Sequence, residues 1–249
     1  MVRGFYQLGT GIRTQNKVLS TIANNISNAK TTGYKRQMVV TESFENMVIS
    51  RVQQSISGAQ THTPIGEKSM LRTVSQTATI HSQGSPLDTG RNLDAAIVGE
   101  GFFALQTGGG TVYTRKGDFN IDADGYLVQS GGRVMGQNGP IRVGTENVAF
   151  DTSGNVYADG AFVGKLAIYS FDDYNTLTPV VDGYYTAAGG AKLVGGQVKG
   201  KALEGSNVDM GEEMTNAIAA QRELQSQSNI LKMYDAVLQK ATNEIGRIN

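Results

Sequence analysis

The chain has 249 residues, with 22 Lys+Arg against 22 Asp+Glu, no Cys, no Trp and two His. That length suffices for one large domain or two small ones. The balanced charge leaves no basic footprint for nucleic acid, and the absence of cysteine excludes disulfides, thiol catalysis and Cys-ligated zinc.

Residues 1–10 lack the unbroken apolar run of a cleavable signal peptide. No segment approaches the roughly 20 apolar residues of a membrane-spanning helix. Taken alone, these features predict a soluble cytoplasmic protein.

In chain order, residues 4 to about 30 read as a helix. Phe5, Ile12, Leu19 and Ile26 recur every seven residues, and Leu8, Ile22 and Ala29 fill the positions three on, with Gln15 polar. A seven-residue repeat keeps a narrow apolar seam facing a partner helix. Gly33 is the expected stop, because glycine takes the left-handed conformation that ends helices. Gly4, Gly9 and Gly11 weaken the first turns by up to about 1 kcal/mol each relative to alanine. Residues 34–75 are polar with few periodic cues and read as an extended arm or linker, in which Met38-Val39-Val40 is the one short extended stretch.

Residues 76–206 are glycine-dense, with short β-rich runs such as Leu93 to Val98, Phe102 to Gln106, Val112 to Arg115 and Val148 to Phe150. Between them stand Asp124-Gly125, Gly131-Gly132, Asn138-Gly139 and Asp159-Gly160, the dipeptides of tight hairpins that accept positive φ. This predicts an antiparallel all-β domain.

Residues 207–249 read as a second helix, capped by Asn207 or Asp209, with Glu212 and Glu213 complementing the positive end of its dipole. Ala217, Leu224, Leu231, Leu238 and Ile245 recur every seven residues; Ala220, Tyr234, Ala241 and Ile248 sit three on, with Gln227 polar. A rod of roughly 60 Å cannot bury such a stripe against a small β domain alone. The fold class is therefore α+β: residues 1–33 and 207–249 form a coiled-coil-like helical assembly domain, and the middle forms the β domain.

Candidate chemistry is sparse. Gly99-Glu100-Gly101-Phe102-Phe103-Ala104 matches a dinucleotide fingerprint in letters, but a strand-like run follows it where a helix is required. Gly160 to Lys165 is one residue short of a phosphate loop, and Asp122-Ala123-Asp124-Gly125 lacks the remaining calcium ligands. His62 and His81 have no metal-ligand spacing and read as surface or loop residues. Asp172-Asp173 reads as a solvated turn. No cofactor, catalytic residue or small-molecule substrate is expected. The amides along both helices are either a solvated face or register-setting contacts inside a packed assembly.

The run Ile22-Ala23-Asn24-Asn25-Ile26-Ser27-Asn28-Ala29-Lys30-Thr31-Thr32-Gly33-Tyr34-Lys35-Arg36 resembles the N-terminal signature of bacterial flagellar rod and hook proteins. Leu203-Glu204-Gly205-Ser206-Asn207-Val208-Asp209, followed by Ile218-Ala219-Ala220-Gln221-Arg222, is similar to the family's C-terminal entry motif. Asn92 to Phe103, with Tyr113-Thr114-Arg115-Lys116-Gly117-Asp118-Phe119, resembles its β domain. The proximal-rod subtype is the most similar and the distal-rod subtype next; hook proteins are usually longer.

The resemblance implies a structural subunit that polymerises helically into the torque-transmitting rod. Its implied partners are other rod subunits, hook or ring components and the flagellar type III export apparatus. It also implies an extracytoplasmic, periplasmic rod location reached without a cleavable signal, which replaces the cytoplasmic expectation. The expected assembly residues are Phe5, Leu8, Ile12, Leu19, Ile22, Asn24, Asn25, Ile26, Asn28, Gly33, Asn207, Ala217, Leu224, Leu231, Leu238 and Ile245. The rival readings are a cell-wall hydrolase or a ligand-binding β module on a coiled-coil anchor. A hydrolase would need convergent titratable groups in the β domain.

Overall fold

The computed structural model describes residues 2–54, 60–181 and 183–245. The chain divides into two compact units. One comprises Met1–Asn24, Gln37–Ala78 and Gly211–Asn249, and the other Asn25–Arg36 and Thr79–Met210.

The first unit holds most of helix α1 (Val2–Ser27) and of helix α2 (Met210–Ile245), together with two long strands, Gln37–Gln54 and Gln60–Thr79. Among the described residues these strands pair only with each other. The segment read from sequence as an irregular arm is thus a β-ribbon. No Asn-Gly or Asp-Gly dipeptide occurs in residues 37–79, and strand pairing is a non-local event that composition does not announce.

Within this unit two of the three glycines of α1 meet α2. A Cβ on Gly4 would lie 2.7 Å from Tyr234 Oη, and one on Gly11 would lie 3.1 Å from Gln227 Oε1. Seven residues forward in α1 correspond to seven residues back in α2, so the helices run antiparallel here. Two of the glycines that weaken α1 by propensity are therefore places where α2 closes on its backbone. Nothing lies within 4 Å of a Cβ on Gly9.

The second unit is built from antiparallel pairs. Strand Phe102–Thr107 is central. One edge pairs with Gly110–Thr114, and the other is shared by Ile168–Ser170 and Gly132–Gly136. Side chains alternate across a strand, so Phe103 and Leu105 enter one core with Phe119, Leu127 and Val134. Phe102 and Ala104 enter a second with Tyr113, Phe171 and Tyr185. A strand covered on both faces needs an unbroken apolar run, which Phe-Phe-Ala-Leu supplies.

Two tight turns have positive φ at both central residues: Ser130 and Gly131 at 46° and 84°, and Asp159 and Gly160 at 49° and 81°. This is the twist-matching hairpin geometry that Asp-Gly favours. Pro86–Asp88 pairs with Ala202–Glu204, and Ala95–Val98 with Gln197–Gly200. These pairs return the residues that precede α2 to the start of the β unit.

Candidate functional site

The three sequence motifs converge on one buried carboxylate. Glu204 ends the strand Ala202–Glu204 with its side chain fully buried. Its Oε1 accepts a hydrogen bond from Lys35 Nζ at 2.5 Å and from the Gly84 N–H at 3.1 Å. Its Oε2 accepts from Arg115 Nη1 at 3.1 Å. Lys35 Nζ also donates to Ser82 O at 2.8 Å. Burial lowers the Lys35 pKa; the charge and hydrogen bond of Glu204 oppose that, and the Arg115 charge adds to the lowering. Two buried cations thus share a single carboxylate. In such a group the partners are costly to remove singly, because the remaining charges stay desolvated.

Backbone bonds close the same knot. Gly33 N–H donates to Glu204 O at 2.8 Å. Gly33 takes φ +67°, and a Cβ on it would lie 2.8 Å from Lys116 N and 2.9 Å from Arg115 C. α1 already ends at Ser27, so Gly33 does not stop the helix as sequence reading expects. It lets the following turn pass against the Arg115–Lys116 backbone. Asn207 Oδ1 accepts from Arg36 N–H at 2.7 Å, and its Nδ2 donates to Ile80 O at 2.8 Å and Ser82 O at 3.1 Å. The Asn207 amide thus bridges three segments, while Asp209 occupies the position just before Met210 where α2 begins. Tyr34 Oη donates to Asn25 Oδ1 at 3.1 Å, and Gly205 N–H to Ser85 O at 2.9 Å.

His81 borders this knot; it lies in a loop, as one of the two expectations had it, but is half-buried rather than on the open surface. Its ring stacks on Tyr174 with centroids 5.0 Å apart and makes edge contacts with Phe102 and Tyr185. Nδ1 is buried without a hydrogen-bond partner. Burial first, then the charges of Lys35 and Arg115, pull its pKa down to about 4. A lone His in a polar stretch carries no sequence signal of such burial.

The knot contains charge and hydrogen bonds but no nucleophile aligned with a base. Among the described residues no group of three or more His, Cys, Asp or Glu is placed to hold a metal ion. It acts as a clamp on the segments where α1 ends and α2 begins. Sequence reading singled out Asn25, Gly33 and Asn207 from this knot and missed Lys35, Gly84, Arg115 and Glu204, with His81 beside them. The available signal was a charged residue inside each of three quoted motifs, Lys35, Arg115 and Glu204; His81 and Gly84 lie outside them.

The stripe residues lie elsewhere. On α1, Gln15 and Ile22 are buried, Leu8, Ile12, Leu19 and Ile26 are half-buried, and Phe5 is 45% exposed. Asn24 is exposed, Asn25 is buried at the clamp, and Asn28 Oδ1 accepts from Thr31 Oγ1 at 3.1 Å. On α2, Ala220 is buried; Ala217, Leu224, Gln227, Leu231, Tyr234 and Ala241 are half-buried; Leu238 is exposed. The Ile245 side chain and Ile248 lie outside the described residues.

Three family models match the chain in succession. They are a flagella basal body rod protein model over residues 5–35, a flagellar hook protein FlgE/F/G D1 domain model over 96–158, and a flagellar basal body rod FlgEFG protein C-terminal model over 199–244. The chain is 35% identical to the flagellar basal-body rod protein FlgG of Agrobacterium fabrum, across 91% of this chain and 93% of that protein. It is 34% identical to FlgG of Bacillus subtilis, across 98% and 99%. It is 30% identical to the flagellar basal-body rod protein FlgF of Caulobacter vibrioides, across 95% of each.

Proposed function

The chain belongs to the flagellar basal-body rod protein family, whose members are structural and not enzymatic, and we propose that it polymerises helically through α1 and α2 into a torque-transmitting shaft. It is a structural subunit of the basal-body rod and assembles with other rod components.

The exposure of α2 carries the proposal. Among the described residues of this 36-residue helix, only Glu213 and Ala220 are buried. Met214, Ile218, Met233 and Val237 are 50 to 60% exposed. Apolar surface on this scale marks an interaction face. Ala217, Leu224, Leu231 and Leu238 form the seam, which neighbouring helices complete in coiled-coil fashion. On α1 the seam runs through Leu8, Ile12, Leu19, Ile22 and Ile26, with Phe5 at its exposed end. Distinct faces meeting head to tail give a heterologous contact that does not close, and hence a helical tube.

The same reading gives the chain a periplasmic place in the rod, reached through the type III export apparatus without a cleaved signal, with hook or ring components as further neighbours. The proximal rod is the level favoured by the motif resemblance. Leu231→Asp tests the seam by placing a charge in it. The variant subunit is expected to be absent from isolated basal bodies while its β unit keeps its thermal transition. Normal incorporation sinks the seam assignment. The level of the rod at which the tagged wild-type chain co-purifies decides between proximal and distal placement.

A further inference from the structure

α2 holds three of the eight methionines of the chain, and the chain has no cysteine. Oxidation at sulfur therefore falls on methionine alone. Met214 is 50% exposed and Met233 is 60% exposed. Each stands four residues before an exposed β-branched side chain, Met214 before Ile218 and Met233 before Val237. Residues at that spacing are neighbours on a helix surface, so each thioether lies in a small apolar patch open to solvent. Met135 is different: it is half-buried and packs against the second core of the β unit.

A peroxide must reach the sulfur to react, so exposure sets which methionine is oxidised first. Hydrogen peroxide passes one oxygen atom to the thioether: its O–O bond breaks, an S–O bond forms, the sulfur loses two electrons and water leaves. The sulfoxide is polar and chiral, and it disrupts apolar interfaces that methionine otherwise fills. We propose that Met214 and Met233 are oxidation sites of the free subunit, and that their sulfoxides keep α2 from entering the rod. This rests on the helical-polymer reading above, because it takes the exposed face of α2 as one that neighbouring subunits cover. Once covered, the same sulfurs are shielded, so the reaction separates free subunits from assembled ones.

The purified chain and isolated basal bodies are exposed to the same limiting hydrogen peroxide, and peptide mass spectrometry reads the oxygen gained at each methionine. In the free chain Met214 and Met233 should react several-fold faster than Met135; equal rates overturn the assignment of the sites. In basal bodies both should react several-fold more slowly than in the free chain, and unchanged rates overturn the shielding. Tagged variants expressed in the source bacterium test the block. Met214→Gln with Met233→Gln puts a polar side chain of similar length in place of the sulfoxide and should lower incorporation into basal bodies several-fold. Met214→Leu with Met233→Leu should incorporate as the wild type does. Normal entry of the Gln variant, or failure of the Leu variant alongside it, overturns the block by sulfoxide and leaves the polymer reading standing. Absence of the wild-type tagged chain from every rod overturns both.

Discussion

Lys35 and Glu204, 169 positions apart in the chain, meet at 2.5 Å with both side chains fully buried. Their contact ties the turn after α1 to the segment that leads into α2, and Arg115 joins from the β unit on the other carboxylate oxygen. The clamp is therefore a tertiary knot in which each sequence motif contributes a charge or a backbone group.

Removing the carboxylate should cost more than removing either cation. Glu204→Gln leaves Lys35 and Arg115 buried without a counter-charge, and the expected loss is about 3–5 kcal/mol. Lys35→Met leaves the Arg115–Glu204 pair intact and neutral, so its loss should be smaller. Chemical denaturation followed by near-UV circular dichroism gives the order; a larger loss for Lys35→Met contradicts the two-to-one arrangement.

Gly33→Ala combines backbone strain with a clash. Positive φ costs a non-glycine residue about 1–2 kcal/mol, and the added Cβ would press on Lys116 N at 2.8 Å. Gly90 has φ +73° with nothing within 4 Å of a Cβ, so Gly90→Ala should pay the strain alone. The difference between the two melting temperatures measures the close approach.

In α1 the prediction reverses sign with position. Gly9→Ala meets nothing within 4 Å and should stabilise the helix by up to about 1 kcal/mol. Gly4→Ala gains the same propensity but would sit 2.7 Å from Tyr234 Oη. It should yield less, or destabilise. Gly4→Ala combined with Tyr234→Phe should recover part of the gain, because the hydroxyl is the nearest blocking atom and the ring carbon behind it stays at 3.1 Å. Far-UV circular dichroism during thermal unfolding reads all three.

Acid should weaken the clamp through His81. The folded pKa lies at about 4 and the ordinary value at 6.5. Below 6.5 the unfolded chain binds a proton that the folded chain does not, so stability falls as pH drops from 6.5 towards 4 and this contribution levels off below that. Protonation would add a cation beside Lys35 and Arg115. His81→Phe keeps an aromatic ring in the cage and should flatten the pH dependence of the unfolding midpoint across this window. An unchanged slope would mean that other groups carry it.

Local chemistry made much of this architecture legible. Glycine-bearing dipeptides marked the hairpins because few other residues accept positive φ, and Phe102 to Leu105 marked a strand covered on both faces. Heptad spacing placed Ala217, Leu224 and Leu231 on one side of α2, because a helix presents every third or fourth residue to the same direction. Gly4 and Gly11 read as weak helix formers, since propensity concerns one residue at a time while their value lies in the approach of Tyr234 and Gln227.

By itself the sequence determined the α+β class, most turns of the β unit and, through the three motifs, the family. Each of these depends on periodicity or short-range backbone preference. Only the tertiary structure decided that Lys35, Arg115 and Glu204 form one charge cluster, that His81 is caged by Phe102, Tyr174 and Tyr185, and that residues 37–54 and 60–79 pair. Those outcomes depend on segments distant in the chain being desolvated together. The energy of a buried charge or an unpaired strand is set by the partner that arrives, which no local pattern encodes.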